Sequence, residues 1–233
     1  MEICYISWQE NNSVSVMINK DTKIYGSFSA NRGNTGTKIF NTCFAYYDLN
    51  AIYRSFSIDN IEEAVNSARC LGFSGFAVSM PYKNTIINYL DSISEDARTI
   101  GAVNTVINDN GHLYGYNTDW RAAKAFLTKN LPEKLVVLGN GGYAAAVRYA
   151  AKKLNIQHDT IDRASWARLY TLRGETVFNC TPVENIEDIL DNTNNFIDCV
   201  TVTASGKALA MLQAAIQFKL YTGLTFPLRV DDE

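Results

Sequence analysis

Lys83, Asn104 and Asp119 are the residues of this sequence whose types and positions point to chemistry. They sit in three polar blocks, Ser79-Met80-Pro81-Tyr82-Lys83, Gly101-Ala102-Val103-Asn104-Thr105 and Asn117-Thr118-Asp119, each of which follows or interrupts an apolar run. Side chains at the ends of buried elements can converge on a cleft. An amine and a carboxylate brought together there can move a proton. Lys83 follows Pro81 where the pattern predicts a helix start, a place where the helix dipole disfavours a cation. Such local conflicts mark working sites. Each residue also has an ordinary reading: Lys83 as a surface lysine, Asn104 as a turn residue, Asp119 as a helix N-cap.

A second constellation lies further on. Residues 134–138 read as a short strand that runs into Gly139-Asn140-Gly141-Gly142-Tyr143-Ala144, and a helix follows to about Leu154. A second strand, 159–162, ends at Asp162-Arg163. This is a βαβ unit with a Gly-x-Gly-x-x-Ala turn at its first strand–helix junction, in the context that such a motif needs. Small residues there let backbone N–H groups approach a pyrophosphate at the helix N-terminus. The plainer alternative is a glycine-rich tight turn.

The elements that must position these groups follow from periodicity and punctuation. Residues 1–20 alternate loosely, as an extra strand or hairpin would. Strands are expected at 23–30, 51–56 and 75–80, a loop at 31–37, and helices at 39–49 and from 61 to Leu71-Gly72, the latter capped by Ser57 or Asp59. Pro81 is expected in the first turn of a helix reaching about Leu90, and another short helix covers 94–100. This order implies a parallel sheet. Asn110-Gly111 signals a hairpin between 105–107 and 113–116. A helix begins near Arg121, strands are expected at 176–178 and 196–202, and a helix from 208 to 221 closes the chain with Gln213 and Gln217 on one face.

Composition bounds the class. The chain has 233 residues, 47% of them apolar, enough for one large or two small domains, and its net charge of −3 argues against nucleic acid as a partner. No apolar stretch approaches a membrane span, and the first residues lack a signal-peptide pattern, so no membrane association and a cytoplasmic protein are expected. The five cysteines, Cys4, Cys43, Cys70, Cys180 and Cys199, are widely spaced and read as reduced, mostly buried thiols. Only two histidines, His112 and His158, are present, and no metal site is expected.

Taken together and in order, the blocks resemble the shikimate dehydrogenase family. Its Val-(Thr/Ser)-x-Pro-x-Lys block is matched by residues 78–83, its Gly-Ala-Val-Asn-Thr block by 101–105, and its Gly-x-Asn-Thr-Asp block by 115–119. The resemblance continues through the glycine turn, through Asn179-Cys180-Thr181-Pro182, and to Gln213-Ala214-Ala215-Ile216-Gln217-Phe218, covering about residues 23–223. It implies an α/β fold of two domains. An N-terminal substrate domain with a mostly parallel sheet would take residues 1–120 and 208–233, and a shortened Rossmann domain 121–207. It implies an NADP-dependent, reversible reduction of 3-dehydroshikimate to shikimate in aromatic amino-acid biosynthesis, by a monomer or homodimer acting on a small-molecule substrate.

By the same resemblance Lys83 and Asp119 are the catalytic pair. Asn104 and Gln217 bind substrate hydroxyls, with Ser79 beside them. Gly139, Gly141, Gly142 and Ala144 hold the dinucleotide, with Thr181 on the nicotinamide side.

Three departures qualify the likeness. The family's Ser-x-Ser-Pro-x-x-His-Asn loop, whose serines bind the substrate carboxylate, corresponds to residues 34–41, where Asn34 and Gly36 replace the serines; Thr35 and Thr37, or Ser27 and Ser29, are the candidate substitutes. A loop altered in this way resembles a divergent, shikimate dehydrogenase-like branch. The family's Asn-Arg-Thr cofactor motif is Asp162-Arg163-Ala164 here. Arg163 suits the 2′-phosphate of NADP, whereas Asp162 suits a free 2′-hydroxyl and leaves NAD open. Finally, a strand–helix unit before the last helix is missing. That shortening motivates an alternative: a paralogue that binds a ligand or partner without catalysis, or a dehydrogenase for a related substrate such as quinate.

Overall fold

The structure, a computed structural model, describes residues 18–129 and 131–228. The strand or hairpin expected over residues 1–20 falls almost wholly outside them; residues 18–22 carry a turn. The described chain divides into two compact units. The first takes residues 18–98, 103–116 and 214–228, and the second takes 99–102, 117–129 and 131–213.

The first unit is built on a six-stranded sheet in the order β2-β1-β3-β5-β6-β4. In chain order its elements are β1 (Lys23–Ser29), α1 (Thr35–Tyr46), β2 (Ala51–Ser57), α2 (Ile61–Cys70), β3 (Gly75–Val78), β4 (Ser92–Ile93), α3 (Glu95–Ile100), β5 (Thr105–Asp109) and β6 (His112–Tyr116). Strands β2, β1 and β3 are parallel, as their helical crossovers require. The sheet is mostly parallel, as expected: β4 also pairs parallel to β6, and only the pairings of β5 run antiparallel. β5 pairs antiparallel to both β3 and β6, and the β5–β6 pairing follows from the Asn110-Gly111 turn, whose φ of 52° and 94° reverse the chain within two residues.

Alternation along β1 and β2 separates two apolar layers. Tyr25 and Tyr53 face α1, where Phe40 stacks on Tyr53 at 4.5 Å and Tyr221 lies 4.9 Å from Tyr25. Phe28, Phe76 and Val78 face the other way and pack with Ile61, Val65 and Ala68 of α2. Each buried aromatic contributes about 1.5–3 kcal/mol.

Local punctuation moved several boundaries. Helix α1 starts at Thr35 and not at Ile39, so the last three residues of the expected loop form its first turn. The cap of α2 is Asn60, whose side chain accepts from the N–H groups of Glu62 and Glu63; it is neither Ser57 nor Asp59. β3 ends at Val78, two residues short of the expected strand. No α-helix follows Pro81. The Met80–Pro81 bond is cis, turns occupy the next residues, and only a 3-10 segment, Thr85–Tyr89, forms. Lys83 therefore sits in a turn, and the helix-dipole conflict drawn from the sequence does not arise.

The second unit carries a four-stranded parallel sheet, β10-β9-β7-β8. Its elements are α4 (Asp119–Lys129), β7 (Lys134–Leu138), α5 (Gly142–Lys153), β8 (Gln157–Ile161), β9 (Thr176–Asn179), β10 (Asn195–Asp198) and the start of α6 (Ala204–Thr222), whose residues from Ala214 on belong to the first unit. The near-continuous apolar run of β7 is buried, as in parallel sheets covered on both faces. β8 begins two residues earlier than expected and leaves Asp162 just beyond its end.

β10 stops at Asp198 where the sequence suggested a strand to Val202, and α6 begins at Ala204, four residues before the expected start. The side chain of Asp198 accepts from the Val200 N–H at 3.0 Å and turns the chain. The Ser205 hydroxyl accepts from the Asp198 N–H at 2.9 Å and starts the helix.

Gly206 makes the tight entry possible, because a Cβ there would fall on the carbonyl of Val200. A glycine-to-alanine change inside a helix ordinarily gains about 0.5–1 kcal/mol. Here overpacking against backbone costs about 1–3 kcal/mol and wins. Gly206→Ala is expected to lower the melting temperature, as measured by circular dichroism; an unchanged or raised value would contradict the packing at this turn.

The expectation of mostly buried thiols needs amendment: Cys43 is buried, Cys180 and Cys199 are half-buried, and Cys70 is exposed. Among the described residues no helix is long and apolar enough to cross a membrane.

Candidate active and cofactor sites

In the first unit the sheet register builds a polar row. Ser27 of β1 pairs with Ser55 of β2 on one side and Ala77 of β3 on the other, and Ala77 pairs with Thr105 of β5. These four side chains therefore share one face, the face covered by α1. The Ser27 hydroxyl donates to the Ser55 hydroxyl at 3.0 Å, and the Thr37 hydroxyl, in the first turn of α1, lies 3.1 Å from that same Ser55 oxygen. Asn41 anchors α1 here by bonding the backbone of Thr37 and both backbone groups of Tyr53. Burial raises the Tyr53 phenol, and a hydrogen bond with Ser27 opposes that shift.

The hydroxyl cluster thus joins one candidate from each expected pair, Ser27 and Thr37, through Ser55. Thr35 is exposed and makes no side-chain bond to that cluster, and Ser29 stands in the next row, opposite Ser57. Ser55 was missed by sequence reasoning. Its only signal is register, since a serine in an apolar strand looks ordinary until β2 is laid beside β1.

At the other end of the row, Gln217 of α6 donates to the Thr105 hydroxyl at 2.7 Å and to the Asn104 carbonyl at 3.3 Å. Thr105 donates to the Asn104 side-chain oxygen at 3.0 Å. Asn104 and Gln217 are almost fully buried, so the network fixes their amides in place. The N–H of Val103, immediately before Asn104, donates to the Lys83 carbonyl at 2.7 Å. Backbone pairing therefore ties half-buried Lys83 to the Asn104 strand entry. Ser79 is exposed at the end of β3, where its N–H meets the Phe28 carbonyl at 2.9 Å.

In the second unit, Asp119 opens α4 and is 1% exposed. Asn117 orients this start: its amide donates to the Ala102 carbonyl at 3.0 Å and its oxygen accepts from the Trp120 N–H at 3.2 Å. Burial drives the Tyr143 phenol well above its ordinary range, and Cys180, Asp119 and Cys199 push it in the same direction.

The glycine turn has the form a phosphate cradle needs. Gly139 has φ +99°, and a Cβ there would approach Thr181 Cγ2 at 2.9 Å. Gly141 differs: its φ of −81° suits any residue, and a Cβ there would meet nothing within 4 Å. Neither backbone nor protein packing requires glycine at 141, so open space in front of the helix is the property it supplies. Helix α5, beginning at Gly142, has no side-chain cap and no acidic residue in its first turn, which leaves its N-terminus to an anion. Ala144 is fully buried and lets α5 approach the sheet.

Arg148 of α5, not anticipated from the sequence, reaches back to the Asn140 side chain at 3.1 Å and so adds positive charge at this turn. Thr181 is held by Asn179, whose oxygen accepts from both its N–H and its hydroxyl, and Asn179 in turn donates to Asp198 at 3.0 Å. Past β8, Asp162 Oδ1 accepts from the Ala164 and Ser165 N–H groups and from the Ser165 hydroxyl. The Ser165 hydroxyl bond is the main cause holding the Asp162 carboxyl below its ordinary range. Arg163 beside it is exposed, with no ion pair among the described residues.

Residues 35–106 match the family profile described as the shikimate dehydrogenase substrate binding domain. The chain is 34% identical to a shikimate dehydrogenase-like protein of Haemophilus influenzae, over 88% of this chain and 93% of that one. The chain belongs to the shikimate dehydrogenase family. Its match to a shikimate dehydrogenase (NADP(+)) of Alkaliphilus oremlandii is 39% identical, over 65% of this chain and 57% of that enzyme. A solved shikimate 5-dehydrogenase-like protein superposes with a TM-score of 0.75 at 30% identity, covering 90% of this chain and 94% of the other. The α/β architecture of this family member, a substrate domain followed by a Rossmann-like domain with a parallel sheet, is thus shared with its relatives.

Proposed function

We propose that this chain is an NADP-dependent dehydrogenase interconverting 3-dehydroshikimate and shikimate. One observation carries the reading: the buried Asn104–Thr105–Gln217 network is continuous, through the Val103 N–H, with the turn that holds Lys83. A ring bearing several hydroxyls needs such fixed donors and acceptors for orientation. Asn104 and Gln217 bind those hydroxyls, with Ser79 at the edge. When bound, the nicotinamide supplies or accepts the hydride. Lys83 gives a proton to the oxygen that gains charge on ketone reduction and takes one in the reverse direction, and Asp119 is the catalytic carboxylate.

The glycine turn and the uncapped start of α5 fit a dinucleotide, with Gly139, Gly141, Gly142 and Ala144 on the pyrophosphate side and Thr181 toward the nicotinamide. Asp162 is committed to its own turn through Oδ1, which favours Arg163 as the partner of a 2′-phosphate and NADP over NAD. Ser27, Thr37 and Ser55 take the substrate carboxylate in place of the family's loop serines. Ser55→Ala is expected to raise KM for shikimate about tenfold and leave kcat within about twofold, the signature of lost ground-state binding. A fall in kcat with KM unchanged would contradict the assignment.

Formation of reduced cofactor from shikimate and NADP, followed by absorbance, tests the function. No turnover with NADP or NAD, on shikimate or quinate, contradicts it. A binding protein without catalysis is the second reading, favoured by the four-stranded second sheet. Calorimetric titration separates the two, since a non-catalytic paralogue that has lost its cofactor site binds neither NADP nor NAD.

A further inference from the structure

Cys180 and Cys199 stand opposite each other at the C-terminal ends of adjacent parallel strands. The last register pair of β9 and β10 is Asn179 with Asp198. The Cys199 N–H then donates to the Asn179 carbonyl at 3.1 Å and carries the ladder one step further. Both side chains pack against the same apolar cluster, which places them on one face of the sheet, and both are half-buried. Neighbouring strands run about 4.8 Å apart, inside the Cα separation of about 4.4–6.8 Å that a disulfide accepts. Being half-buried, a bond between them stays within reach of a reductant, as a reversible disulfide must.

We propose that Cys180 and Cys199 are a reversible thiol pair, closed by a peroxide, whose closure displaces the 179–181 turn that walls the candidate cofactor site. The gating half rests on the cofactor reading above; the thiol pair does not. In the reaction the Cys199 sulfur attacks one peroxide oxygen and becomes a sulfenic acid as water leaves. The Cys180 sulfur then displaces the sulfenic oxygen as a second water, so both thiols are oxidised and the peroxide is reduced. Thr181 feels the closure directly, because it follows Cys180 and its carbonyl lies 4.0 Å from the Cys199 sulfur. Burial raises the Cys180 thiol well above its ordinary range. Cys199, Asp119 and Asp198 add to the shift, and Arg148 opposes it.

The test is peptide mapping of the purified full-length chain after hydrogen peroxide, without reductant. A cross-linked pair of peptides holding Cys180 and Cys199, lost on adding dithiothreitol and absent from Cys180→Ser and Cys199→Ser, is the expected result. Cross-links through Cys70 or Cys4, or over-oxidised thiols with no 180–199 bond, would overturn it; the wild-type map decides this whether or not the variants fold. For the gating half, the oxidised protein is expected to bind NADP at least about tenfold more weakly than the reduced protein. Equal affinities overturn that half. A reduced protein that binds no NADP contradicts the cofactor reading and leaves the thiol pair to be judged by the map.

Discussion

Lys83→Ala is expected to lower kcat with shikimate and NADP by about 10²–10⁴-fold, the range spanned by losing a positioned acid or base. NADP affinity should stay within a few-fold. The reason lies in placement. Lys83 is half-buried in a turn whose carbonyl is pinned by Val103, one residue from the buried Asn104 that would orient the substrate. Lys83→Arg separates proton transfer from charge. A guanidinium keeps the positive charge but cannot give up its proton, so arginine should not restore turnover. Recovery to near wild-type kcat in Lys83→Arg would make Lys83 an electrostatic anchor. Equal loss of turnover and cofactor binding in Lys83→Ala would make it a structural residue.

Gly141→Ala is expected to weaken NADP binding about 10–100-fold while leaving stability within about 1 kcal/mol. The φ of −81° accepts alanine without strain, and the added Cβ meets no protein atom within 4 Å. On folding grounds alone the substitution is close to neutral. Its effect on the cofactor comes from the pyrophosphate, which needs the backbone N–H groups at the start of α5 within direct reach. The pairing of a lost affinity with an unchanged melting temperature is what the reading requires. Unchanged affinity would show that no pyrophosphate rests on this turn.

How much of this was legible before the structure depended on the range of the interaction involved. The strand–glycine–helix junction at 134–153 is set by neighbours in sequence, and it formed as its pattern implied. The Asn110-Gly111 hairpin is equally local. Ser55 was invisible because its meaning comes from lying beside Ser27, across a helical crossover of more than twenty residues. Arg148 was invisible because it reaches back past the start of its helix to Asn140 in the glycine turn. The helix expected after Pro81 failed for a different reason. Proline suits a helix start, but Lys83 is held by its bond from Val103, and the segment became turns and a short 3-10 piece. Asn60 won the cap of α2 over Asp59 because only its side chain reaches the N–H groups of Glu62 and Glu63.

The central claim, hydride transfer by this chain, is tested most directly with NADPH carrying deuterium at the transferred position of nicotinamide C4 and 3-dehydroshikimate as the acceptor. The account predicts shikimate heavier by one deuterium, formed by the wild-type protein and not by Lys83→Ala. Recovery of unreacted 3-dehydroshikimate, with the label still on the cofactor, would contradict it.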